Sequence, residues 1–174
     1  MRLDYFFRHS ERPKTTRWGP KLQLAAYFNI PWLVAQYLRE NHDPTWNTGG
    51  GCALIWCSET GSYKCIEILL LAGAEANQVE YDGWSPLHWA AANGHSRVCG
   101  LLIEHGADRE AEDDRGYTPK DMAVKMGHYN IAKAYFGRIE DSKLWTPSVD
   151  SRVISKIGAR DVFMLPKDRI TRHS

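Results

Sequence analysis

The residues in this 174-residue chain that could do chemistry are few, and most are imidazoles and indoles. His88 follows Ser85-Pro86-Leu87, and Asp82, His105 and Asp121 lie within a few dozen residues of it. They form no recognisable catalytic constellation, so no catalytic residue is assigned, and His88 and Asp121 are the alternative candidates should the chain be an enzyme. An aromatic pocket near Trp56, Trp89 and His88 would suit an enzyme or a binder of a small apolar molecule. Trp56 and Trp89 are 33 residues apart, as are Trp84 and Tyr117, and Trp18 lies 66 before Trp84. Tryptophan and tyrosine carry much of the energy at protein interfaces, which makes this second series a candidate contact row.

Other chemistries find no support. No nucleophile elbow, Walker loop or zinc-protease helix is present, and Gly49-Gly50-Gly51 is not followed by the lysine a phosphate loop needs. Cys52, Cys57, Cys65 and Cys99 match no zinc spacing and read as reduced, buried, small apolar residues. The acidic run of Glu104, Asp108, Glu110, Glu112, Asp113 and Asp114 reads as a solvated loop edge. No metal and no cofactor are expected.

Net charge is +1, which gives no global field for nucleic acid. Residues 1–21 carry six Lys/Arg against two Asp/Glu, and 146–174 carry six against three, so basic ends flank an acidic middle. No apolar run reaches the roughly 18 residues of a membrane span, and the first residues do not form a signal peptide. A monomeric intracellular protein, cytoplasmic or nuclear, is the expectation.

What must position these residues is a repeat. Gly83, Ser85-Pro86, Gly94 and His95 recur 33 residues later as Gly116, Thr118-Pro119, Gly127 and His128. Gly50, Leu54, Gly61 and Gly73 lie 33 before Gly83, Leu87, Gly94 and Gly106. A period of this length marks a solenoid of stacked units. Ser85 and Thr118 are N-cap types with proline at the first helical position, and Gly61, Gly94 and Gly127 suit the left-handed end of a first helix. Leu101 and Leu102 supply the apolar seam of a second helix, while Ala134-Tyr135-Phe136 replaces such a pair in the last unit.

The stretch GWSPLHWAAANGHSRVCGLLIEHGAD resembles an ankyrin repeat. GYTPKDMAVKMGHYNIAKAYF resembles a second, GGCALIWCSETGSYKCIEILLLAGAEAN a third, and residues 22–46 a degenerate N-terminal one. The resemblance implies an all-α solenoid of helix–turn–helix units with β-turn fingers. It implies an array over 1–146, with a lead-in at 1–21 and repeats at about 22–46, 47–79, 80–112 and 113–145. Residues 147–174 are left as an extension, either a cap or a binding tail. It also implies that another protein binds along the fingers and the concave face. By that register Trp18, Tyr81, Asp82, Trp84, Ala92, Asn93, Arg115, Tyr117 and Lys125 are the partner-binding candidates, with Glu59, Thr60 and Met126 beside them. His88 becomes a residue that bonds between units. The sequence departs from the family at Lys120, Asp121, Ala53 and Ile55.

Overall fold

The computed structural model describes residues 21–40, 42–45, 52–80 and 82–144. The lead-in, Trp18, Tyr81 and the 147–174 extension lie outside the described residues. Within them the regular structure is helical: α1 (Lys21–Tyr27), α2 (Pro31–Arg39), α3 (Ala53–Thr60), α4 (Tyr63–Leu71), α5 (Pro86–Ala92), α6 (Ser96–Glu104), α7 (Pro119–Lys125) and α8 (Tyr129–Phe136), followed by a 3-10 turn (Ile139–Asp141).

Four antiparallel pairs stack in chain order. The first helices α1, α3, α5 and α7 pack on one another in one row, and the second helices α2, α4, α6 and α8 in another. Short helices of this kind are marginal alone, so burial between the rows holds them. Leu54, Ile55, Ile66, Leu69, Leu87, Leu102 and Ala123 form the fully buried spine, with small residues Ala26, Ala90, Ala91 and Ala132 letting backbones approach. The four free cysteines are all buried. Burial pushes the Cys99 thiol up to about 12 and holds Cys57 well above its ordinary range.

The same turn closes each pair. The amides of Ile30, Ser62, His95 and His128 donate to the carbonyls of Ala25, Cys57, Ala90 and Ala123 at 2.8–2.9 Å. The residue before each of these donors takes positive φ: Asn29 at 53°, Gly61 at 73°, Gly94 at 81° and Gly127 at 79°. Glycine adopts that conformation without a Cβ penalty, and asparagine is the side chain that tolerates it best. At Gly61 and Gly94 there is a second reason. A Cβ on Gly61 would stand 2.6 Å from the ring of His95, and one on Gly94 would stand 2.7 Å from His128. Units three and four therefore each lay a histidine across the turn glycine of the unit before, and His95 Nε2 donates to the Glu59 carbonyl at 2.9 Å.

Units are also tied on the second-helix side. The Asn77 amide donates to the Gly106 carbonyl at 3.0 Å and accepts from the Asp108 amide at 2.8 Å. The Tyr135 ring of α8 lies on Gly100 of α6, where a Cβ would be 3.2 Å from the tyrosine oxygen. Ser96 Oγ is 3.4 Å from that same hydroxyl. The absence of a side chain at 100 is what admits the ring.

Candidate functional site

The fingers between pairs are tight turns. The Gly83 amide donates to the Glu80 carbonyl, and the Gly116 amide to that of Asp113, at 2.9 and 2.8 Å. Successive fingers join through the Asp114 amide and the Asp82 carbonyl at 3.1 Å. At the centre of this junction is Asp113, only 7% exposed. Its Oδ1 accepts from the amides of Arg115 and Tyr117 at 2.9 and 2.8 Å, and its Oδ2 accepts from the indole of Trp84 at 3.0 Å. The acidic run is thus not a uniformly solvated edge. Asp113 organises a finger, Asp108 Oδ1 accepts from the Glu110 amide, and Glu112 pairs with Lys143.

Trp84 is half-buried, and its ring packs on Trp89 with centroids 4.5 Å apart and on His88 at 6.1 Å. The Trp89 indole donates to Glu80 Oε1 at 2.6 Å. The side chain expected to stand free on the finger is instead a tie between two fingers. Tyr117 is half-buried, and its carbonyl accepts from His88.

His88 is fully buried and both ring nitrogens are used. Nε2 donates to the Tyr117 carbonyl at 3.0 Å, which leaves Nδ1 as the acceptor from the Ser85 amide at 3.1 Å and the Ser85 hydroxyl at 2.8 Å. The ring is neutral in that arrangement. Burial holds its pKa below the ordinary imidazole value, against the opposing pull of the Tyr117 bond and of Asp113 and Asp121. Asp121, at the same position one unit later, is equally committed. Oδ2 accepts from the Thr118 amide and hydroxyl at 2.9 Å each, and Oδ1 from the Ser142 hydroxyl and the Lys143 amide at 2.6 Å each. Burial alone would raise this carboxyl, but those bonds outweigh it and hold it low. Neither residue keeps a free proton or lone pair for a substrate, so the His88–Asp121 pair is structural.

Trp56 and Trp89 do share a row. With Leu24 and Met122 they occupy the fourth residue of the four first helices. Trp56 is 2% exposed and meets Tyr27 edge-to-face at 5.3 Å, so it is core rather than the wall of an open pocket. A cleft of about 490 Å³ lies elsewhere, between Glu110, Glu112, Lys120, Phe136, Asp141 and Lys143. Among the described residues no group of three or more His, Cys, Asp or Glu could hold a metal ion, and no helix is long and apolar enough to cross a membrane.

The remaining candidates separate by exposure. Asp82 and Arg115 are exposed on the fingers, Asn93 and Lys125 at the ends of α5 and α7, and Ala92 is buried. Asn93 donates to the Trp89 carbonyl at 2.9 Å. The residue preceding each positive-φ turn residue forms a series: Phe28, Thr60, Asn93 and Met126, all exposed. Phe28 and Met126 are among the few large apolar side chains left to solvent, at 59% and 51%. Phe28 is absent from the expected set because its unit runs one residue short of the period: Asn29 precedes Gly61 by 32. Matching Asn29 to the turn glycines would have found it.

No curated protein matches the chain. A family model described as ankyrin repeats (3 copies) matches residues 22–113 and 54–136. The matched region spans well over half of the sequence and coincides with the four stacked pairs, and the chain belongs to the ankyrin-repeat family.

Proposed function

We propose that this chain binds another protein along the ends of its first helices and the adjoining fingertips. Repeats of this family are in general protein-interaction modules. The observation that carries the finer reading is the series Phe28, Thr60, Asn93 and Met126. It gives four exposed positions, one per unit, with solvent-facing apolar groups at its two ends. Large exposed apolar groups in register on a repeat surface are what a partner buries. Lys125 beside Met126, and Asp82 and Arg115 on the fingers, add charge for selectivity. Ala92, Trp56 and Trp89 support this surface from beneath, and Trp84 and Tyr117 hold the fingers in place.

The test compares recovery of co-purifying proteins from cell extract by mass spectrometry. The baits are the wild type, a Phe28→Ala/Met126→Ala double variant, and Leu71→Ala, which removes a still more exposed apolar side chain on the second-helix row. The expected result is a partner retained by wild type and Leu71→Ala and lost by about tenfold or more in the double variant, with melting unchanged. Equal recovery by all three, or equal loss in Leu71→Ala, overturns the assignment.

A further inference from the structure

The end of the array is closed by its own chain. After α8, Gly137 turns at φ 88°, and the 3-10 turn Ile139–Asp141 brings Ile139 into the core at 4% exposure. The next residues reach Asp121. In the preceding junction the third helical residue, His88, donates to a carbonyl of the following finger. At the last junction the third helical residue, Asp121, accepts from the Ser142 hydroxyl and the Lys143 amide. The polarity of the slot has reversed to suit what arrives. The Lys143 ammonium then crosses to the finger that holds Asp113 and Gly116, pairing with Glu112 at 2.6 Å and donating to the Gly116 carbonyl. Lys120 faces Asp141 at a looser 3.8 Å.

We propose that residues 137–144 are a terminal cap that stands in for the finger of a fifth unit and releases as one piece while the four helix pairs stay folded. Ile139 is its buried anchor, and the Asp121 carboxylate with Ser142 and Lys143 is its latch. Among the described residues its buried apolar anchor is Ile139 and its ties to Asp121 run through Ser142 and Lys143, against the helix-wide burial that holds each pair. Segments so held open locally well before global unfolding. Release bares Oδ1 of Asp121 and the face of α8 against which the 3-10 turn packs.

Amide hydrogen exchange on the full chain tests the proposal, comparing wild type, Ser142→Ala and Asp121→Ala. In the wild type the Ser142 and Lys143 amides exchange more slowly than in a free chain, yet faster than the α5–α6 amides. Ser142→Ala removes one latch donor and leaves the Thr118–Asp121 cap of α7 intact, and it accelerates exchange at 142–143 by about threefold to tenfold. Asp121→Ala accelerates it further. In Ser142→Ala the α5–α8 amides stay at the wild-type rate. Free-chain exchange at 142–143 in the wild type overturns the proposal, as does no acceleration in Ser142→Ala. Acceleration of α7–α8 equal to that of the cap in Ser142→Ala overturns it too, since the cap would then be no separate unit. Should Asp121→Ala melt α7 by removing its N-cap partner, Ser142→Ala alone decides.

Discussion

The indole N–H of Trp84 donates to Oδ2 of Asp113, a residue 29 positions later that belongs to the next finger. The bond joins two units, and the ring behind it covers Trp89 and His88. Trp84 therefore ties two units together. Trp84→Phe keeps most of the ring but leaves a buried carboxylate oxygen without its donor, which costs about 1–3 kcal/mol. A lowered denaturant midpoint at unchanged slope is the expected result. An unchanged midpoint with loss of partner recovery would return Trp84 to the binding surface.

Stability responds to acid through two buried groups. His88 has its folded pKa below the ordinary value near 6.5, so the unfolded chain takes up the proton first. Its contribution is fully present above that ordinary value and declines as pH falls from there toward the depressed one. Asp121 is also depressed, from an ordinary value near 3.8, so its contribution persists to lower pH and is lost as pH falls through the folded value. Melting temperature should fall in two stages between neutrality and strong acid. His88→Leu should flatten the first stage while lowering the neutral-pH value, and a first stage as steep in that variant as in the wild type would reassign it to other groups.

The turn glycines separate conformation from contact. Gly94 and Gly127 have nearly the same φ, but only Gly94 has a neighbour, the His128 ring, where a Cβ would go. Gly127→Ala bears the left-handed penalty alone, about 1–2 kcal/mol. Gly94→Ala bears that and the displacement of the ring, so it should be the more destabilising by about 1 kcal/mol or more. Equal losses in chemical denaturation would mean that His128 moves aside freely.

Much of the architecture was legible because its signals are local. Ser85-Pro86 and Thr118-Pro119 write the start of a helix within four residues, and the glycines write its end. The structural role of His88 was what the family resemblance implied. The finger chemistry was not legible, because Trp84 and Asp113 meet only once units stack. Asp113 in a run of acids looks solvated until its three donors are known. Ala92 was placed one residue from the surface it supports. Phe28 was hidden by a single missing residue in the first unit, which shifts the register by an amount that a fixed period of 33 cannot follow.

Gly100 and Tyr135 bear on how these units can be rearranged. The corresponding residue of α4 is Glu67, so unit two lacks the bare backbone on which the tyrosine lies. A shuffled chain that placed the fourth unit directly after the second would set an aromatic ring against a carboxylate stem. The units of this protein are keyed rather than interchangeable. Among relatives, a bulky residue at 100 should accompany a small one at 135, a paired change that marks which unit may follow which.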